Sequence, residues 1–150
     1  MLTIVQTALE AGVIYALVAL ALFLSYTILD IADLTTDGAF TLGCAVSATA
    51  CLMGHPVLAL PMAMLAGAAA GFVTAFLQTK LGVPSILAGI ITNIGLYSVN
   101  LMVMGKSNQS LFQTDTIYTL AKGAGFAGSW YKLAVTALIV LALAAALVLF

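Results

Sequence analysis

The sequence predicts an all-α fold, a polytopic transmembrane helix bundle of about five spans with a short or broken second helix. Composition is the first ground for this. Of 150 residues, 64% are hydrophobic and 6% charged, with a mean hydropathy of +1.23, whereas soluble domains run near ~45–50% apolar and ~25% charged. The second ground is surface. A soluble globule of this size buries only about 70% of what its unfolded chain exposes, so this much apolar surface needs lipid around it. The third is pattern: apolar residues run continuously over lengths near the ~20 needed for a helical span, rather than alternating as in an outer-membrane barrel. A cytosolic enzyme, a nucleic-acid binder and a disordered segment are excluded together. Four lysines, no arginine and five acids, Glu10, Asp30, Asp33, Asp37 and Asp115, leave no basic surface to hold phosphates.

The first span runs from Ile4 to Leu29, and Ala11–Leu24 carries no charge. It reads as a span and not as a secretory leader, because no Lys or Arg precedes the apolar run and Glu10 sits where a positive charge belongs. An acidic, Thr-rich patch follows over Asp30–Gly38. The second apolar run, Ala39 to Met53, stops at Gly54-His55-Pro56 and is barely long enough to cross. The third, Val57 to Gln78, closes at Lys80-Leu81-Gly82-Val83-Pro84; the fourth, Ser85 to Met104, closes at Gly105-Lys106. Residues 105–130 form the long polar connection. The fifth span, Tyr131 to Phe150, ends on Leu-Val-Leu-Phe with no polar anchor, which leads us to expect a single transmembrane domain that is part of a longer chain. Cys44 and Cys51 lie seven residues apart in one run, about 10 Å of helical rise, too far for a disulfide. His55 has no Cys, His or carboxylate at ligand spacing, so no metal is expected.

Polar residues inside the spans are the candidate functional groups. In the fourth span Thr92, Asn93, Tyr97 and Asn100 include an i, i+4, i+7 row on one helical face. Amides in hydrocarbon are costly unless bonded, so that face meets other helices, a pore, or both at different depths. Thr74 and Gln78 make a shorter pair in the third span. There, too, Gly67-Ala-Ala-Ala-Gly71 forms a small-xxx-small ridge of the kind that packs helices in lipid, with Gly67 and Gly71 at its ends. The acidic patch is the strongest oddity. Asp30, Asp33 and Asp37 fall at i, i+3, i+7 and cannot sit in lipid together. They occupy either a solvated loop or a break in a helix at Asp33–Gly38, with Gly38 the natural breaking point. Hydrolysis by an intramembrane aspartate pair would place its acids on different spans, which these are not. No Ser/His/Asp set and no phosphate loop occurs, so catalysis is not expected.

The order of these motifs resembles the permease subunits of bacterial ATP-binding-cassette importers of the branched-chain amino acid, ribose and nucleoside group. The resemblance rests on Gly12-Val-Ile-Tyr15-Ala16-Leu17 in the first helix. It continues with Asp33-Leu34-Thr35-Thr36-Asp37-Gly38 and Gly43, where Asp33 and Asp37 stand in place of the family's Asn and Glu. Gly67–Gly71, Lys80-Leu81-Gly82-Val83-Pro84 and Ser85–Leu96 follow in order, and Tyr97–Asn108 looks like members paired with lipoprotein binding proteins. The resemblance implies an import path in the bacterial inner membrane. Its substrate would be a small polar solute: an amino acid, aromatic ones among them, or a sugar or nucleoside. Two permeases, identical or paralogous, would form the core, with cytoplasmic ATPase subunits and an extracytoplasmic substrate-binding lipoprotein as partners, and no cofactor. Asp33, Asp37, Gly38, Thr92, Asn93, Tyr97 and Asn100 would border the path, and Tyr118 and Trp130 would lie under the binding protein. The N-terminus and residues 105–130 would then be outside and Phe150 cytoplasmic, although counting Lys106, Lys122 and Lys132 against Lys80 votes the other way. A segment of a secondary transporter is the competing expectation; it would show coupling-ion residues at mid-depth and an inverted repeat. A small structural membrane protein is a third.

Overall fold

In a computed structural model of the protein, residues 2–30, 33–108, 110–111, 114–123 and 130–149 are described. They form α1 (Leu2–Leu29), α2 (Thr35–Leu52), α3 (Pro56–Lys80), α4 (Ser85–Met104), α5 (Ile117–Gly123) and α6 (Tyr131–Leu149), with no strand among the described residues. Each expected apolar run is a helix. α4 starts after Pro84 and ends at Gly105, whose φ of 64° is left-handed and whose N–H donates to the Leu101 carbonyl at 2.9 Å, a glycine C-cap. α3 opens on Pro56, where the missing N–H costs nothing. By length and composition α1, α3 and α4 can each cross a bilayer, and α6 contains a shorter apolar stretch, Lys132–Ala146. The 18 residues of α2 rise about 27 Å, just under the ~30 Å hydrocarbon core. Within 105–130 the chain folds the short α5 back against α6.

The second helix is short, as expected, but unbroken. Thr35, Thr36, Asp37 and Gly38 are its first turn, so the interruption falls between Leu29 and Thr35 and not at Gly38. Asp33 is the reason. Its carboxylate accepts from the Thr35 N–H at 2.9 Å, and its carbonyl accepts from the Thr36 hydroxyl at 3.2 Å. Leu34 already has helical angles, φ −77° and ψ −2°, so Asp33 acts as the N-cap. Asp37 then sits in the first turn, where the helix dipole favours an anion. Asp30 lies outside both helices with φ 52°, so the three aspartates do not share one helical face. Replacing Asp33 with alanine should cost about 1 kcal/mol of stability and Asp33→Asn only a fraction of it, measured as thermal unfolding of the full protein in detergent. Equal losses for the two variants would contradict the capping role.

α2 is the centre of the bundle. It packs along α3 and α4, which touch each other along their flanks, while α1 pairs with α6 and meets α2 more lightly, the Tyr15 and Phe40 rings lying 5.7 Å apart. The buried residues are small: Ala59 and Ala88 are 0% exposed, and Ala45, Ala50, Ala70, Thr35 and Thr74 are nearly so. The exposed ones are large, with Phe72 at 71% and Met102 at 82%. Water would invert that order. In lipid, large side chains lose nothing by facing outward, and small ones let helices come close. Small residues do pack α3, but through Ala66 and Ala70 against Leu42 and Leu96. A Cβ at Gly67 or Gly71 would meet nothing within 4 Å, so within this chain those two glycines lie beside the contact.

Candidate functional site: a polar seam between α2 and α4

One face of α4 carries Gly89, Asn93, Leu96, Asn100 and Val103 at helical spacing, and every one of them meets α2 or the residue before it. At Gly89 the chain entering α2 comes so near that a Cβ would lie 3.1 Å from the Leu34 nitrogen and 3.2 Å from its Cβ. One turn on, Gly38 faces Asn93: a Cβ there would overlap the Asn93 amide oxygen and lie 3.1 Å from Leu96 Cδ1. Gly38 is therefore required by close approach, and not by a bend. Next, the Asn100 amide donates to the Thr41 hydroxyl at 3.1 Å, and that hydroxyl lies 2.9 Å from the Gly38 carbonyl it donates to. The seam ends where Thr49 reaches the Val103 carbonyl at 3.3 Å.

The seam is not fully satisfied. Asn100 Oδ1 is buried and accepts no hydrogen bond, a costly state inside a membrane. Around the same contact Tyr97 is 66% exposed, and Asp37 is exposed at the α2 N-terminus. Asn93 and Asn100 thus set amide donors and acceptors in the α2–α4 contact, and the same two helices carry an exposed phenol at Tyr97 and an exposed carboxylate at Asp37. Such a set can bind and orient a polar solute. It holds no nucleophile–base pair, and no cluster of metal-ligating residues occurs among the described residues.

The expected residues separate into groups. Gly38, Asn93 and Asn100 come together in the seam, Asp33 caps α2, and Tyr97 and Asp37 stand exposed on α4 and α2. Thr92 is buried on the other flank of α4, toward α3, and its hydroxyl has no partner. Thr35 and Thr74 bond across α2 and α3 at 2.9 Å with both side chains buried. The sequence pattern places the start of α2 at Ala39 and so does not single out Thr35 or Thr41; the i, i+3 spacing of Gly38 and Thr41 is the signal of their shared face. Tyr118 bonds to the Thr136 hydroxyl at 2.9 Å, fixing α5 on α6, and Trp130 stands exposed before α6. These two elements help enclose an apolar cavity of about 420 Å³ with Ile14, Phe40, Cys44 and Leu60.

Comparison with known proteins places this arrangement. The family described as "Branched-chain amino acid transport system / permease component" matches residues 4–150. The chain is 39% identical over 113 residues to a tyrosine transport system permease protein of Clostridioides difficile (strain R20291), covering 75% of this chain and 38% of that protein. It is 38% identical over 121 residues to an uncharacterised protein of Rickettsia prowazekii (strain Madrid E), covering 79% of this chain and 42% of the other. The match therefore spans about two-fifths of these relatives' length. No solved structure matches.

Proposed function

This chain belongs to the permease-component family of branched-chain amino acid transport systems, as a multi-pass inner-membrane protein, and on that premise we propose that it forms one wall of the translocation path of an ATP-binding-cassette importer. The observation that carries the proposal is the α2–α4 seam, where a buried amide oxygen of Asn100 has no protein partner. The cargo is an amino acid or a similarly small polar solute. Likeness to a protein named as a tyrosine transport permease supports an aromatic amino acid.

In this mechanism the permease performs no bond chemistry. Partner ATPases bind and hydrolyse ATP, and their closure favours one of two helix packings over the other. The close, small-residue contacts of α2 with α3 and α4 suit a path that opens and shuts by helix displacement, since few bulky side chains must repack. An extracytoplasmic binding lipoprotein delivers the solute on the side of residues 105–130, with the N-terminus on that side and the end of α6 in the cytoplasm. A second permease, identical or paralogous, completes the path.

Thiol accessibility in the full-length permease tests this reading. With Cys44 and Cys51 replaced by alanine, Tyr97→Cys and Asn100→Cys should react with a small water-borne methanethiosulfonate, more slowly when tyrosine or leucine is loaded through the receptor. Phe72→Cys, on the outer face of α3, should not react. Labelling at Phe72→Cys with none at the other two would contradict the proposed path.

A further inference from the structure

Among the described residues, Thr92 carries the buried, unpartnered polar atom that lies outside the seam. It is 6% exposed and its hydroxyl has no hydrogen-bond partner. A threonine inside a helix ordinarily satisfies itself by donating to a carbonyl three or four residues back, as Thr41, Thr49 and Thr136 do here. Thr92 does not, and it lines a groove of about 530 Å³ between α3 and α4. Ala69 and Val73 form one wall, Gly95 and Val99 the other, and Leu42 of α2 lies at the floor. A Cβ at Gly95 would meet nothing within 4 Å, so the groove is open to close approach of another backbone.

Three kinds of occupant differ in chemistry. An acyl chain fits apolar walls but leaves the hydroxyl unpaired in hydrocarbon, where an unbonded polar group is costly. Water would satisfy the hydroxyl, but it meets apolar side chains almost everywhere else. A membrane helix satisfies both, because the small side chains of Ala69 and Gly95 admit it and one polar side chain or carbonyl on it reaches Thr92. The source follows from length. The matched relatives carry more than half of their residues outside the region shared with this chain, and a helix on the same polypeptide docks at a tethered effective concentration in the mM range. We propose that the α3–α4 groove receives a transmembrane helix from the remainder of the permease polypeptide, hydrogen-bonded to Thr92.

The proposal rests on family membership and not on the import reading, and its test needs no transport. In the full-length permease held in lipid nanodiscs, a photoreactive diazirine amino acid at Val99, and separately at Val73, should crosslink within one polypeptide to a helix outside this region, mapped by mass spectrometry. Thr92→Val should lower the Tm of the same preparation by several degrees and Thr92→Ser should leave it near wild type. Crosslinks to a second copy, to lipid or to water overturn the proposal. So does a Thr92→Val variant as stable as wild type or more so, since deleting a hydroxyl that has no partner is neutral or stabilising.

Discussion

Replacing Gly38 with valine is expected to prevent the permease from reaching a stable folded state. The smaller change Gly38→Ala should cost about 1–3 kcal/mol, the range for overpacking a close contact. The cause is specific. A side chain at Gly38 occupies the place of the Asn93 amide and presses on Leu96, so α4 must move off α2 or Asn93 must leave the seam. Truncating the obstruction should therefore repair much of the loss: Gly38→Ala combined with Asn93→Ala is expected to unfold at a higher temperature than Gly38→Ala alone. Gly89→Ala provides the contrast. Its neighbour includes the Leu34 backbone nitrogen, which no side-chain truncation removes, so Leu34→Ala should rescue it poorly. Thermal unfolding of the full-length protein followed by size-exclusion chromatography reads all of these variants. If Gly38→Ala and the double variant are equally unstable, the proposed contact does not control the packing of α2 on α4.

Uptake should fall by more than tenfold in Asn100→Ala and in Asn93→Ala, while the folded protein loses little stability. The two effects are separable on magnitude. A side-chain hydrogen bond between membrane helices contributes about 0.6 kcal/mol on average, so losing the Asn100–Thr41 bond leaves most of the fold intact. An amide that contacts solute at its barrier acts on transport directly, and ~1.4 kcal/mol there is already tenfold in rate. Uptake by reconstituted permease, normalised to folded protein, distinguishes the roles. Normal uptake and substrate range in both variants would remove the seam from the path. Loss of uptake only in proportion to loss of folded protein would make it a packing contact.

Much of this architecture was legible in the sequence, and the exceptions have a common physical origin. Continuous apolar runs bounded by Pro84 and Gly105 located α4 to the residue, because a span in lipid must satisfy its own backbone and breakers mark its ends. The start of α2 was not legible. Thr35-Thr36-Asp37-Gly38 has the composition of a loop, and only the Asp33 carboxylate on the Thr35 N–H turns it into a first helical turn. The same local error hid Thr35 and Thr41 as partners of Thr74 and Asn100. Polarity at depth drew attention to Asn93 and Asn100, which do share a face. It could not separate them from Thr92, which lies about 100° around the helix from Asn93 and belongs to another contact. The row of small residues on α3 is plain in the sequence, but which members touch a neighbour depends on helix rotation. Ala66 and Ala70 face the core, whereas Gly67 and Gly71 do not.

The most direct measurement is solute uptake by the undivided permease, purified and reconstituted in proteoliposomes with its cognate ATPase and solute-binding lipoprotein. Labelled tyrosine and leucine are supplied on the receptor side, with ATP on the other. At least one of them should accumulate, in a manner that requires ATP, the receptor and the permease together. Receptor-bound solute that stays outside while the ATPase turns over would contradict the import reading.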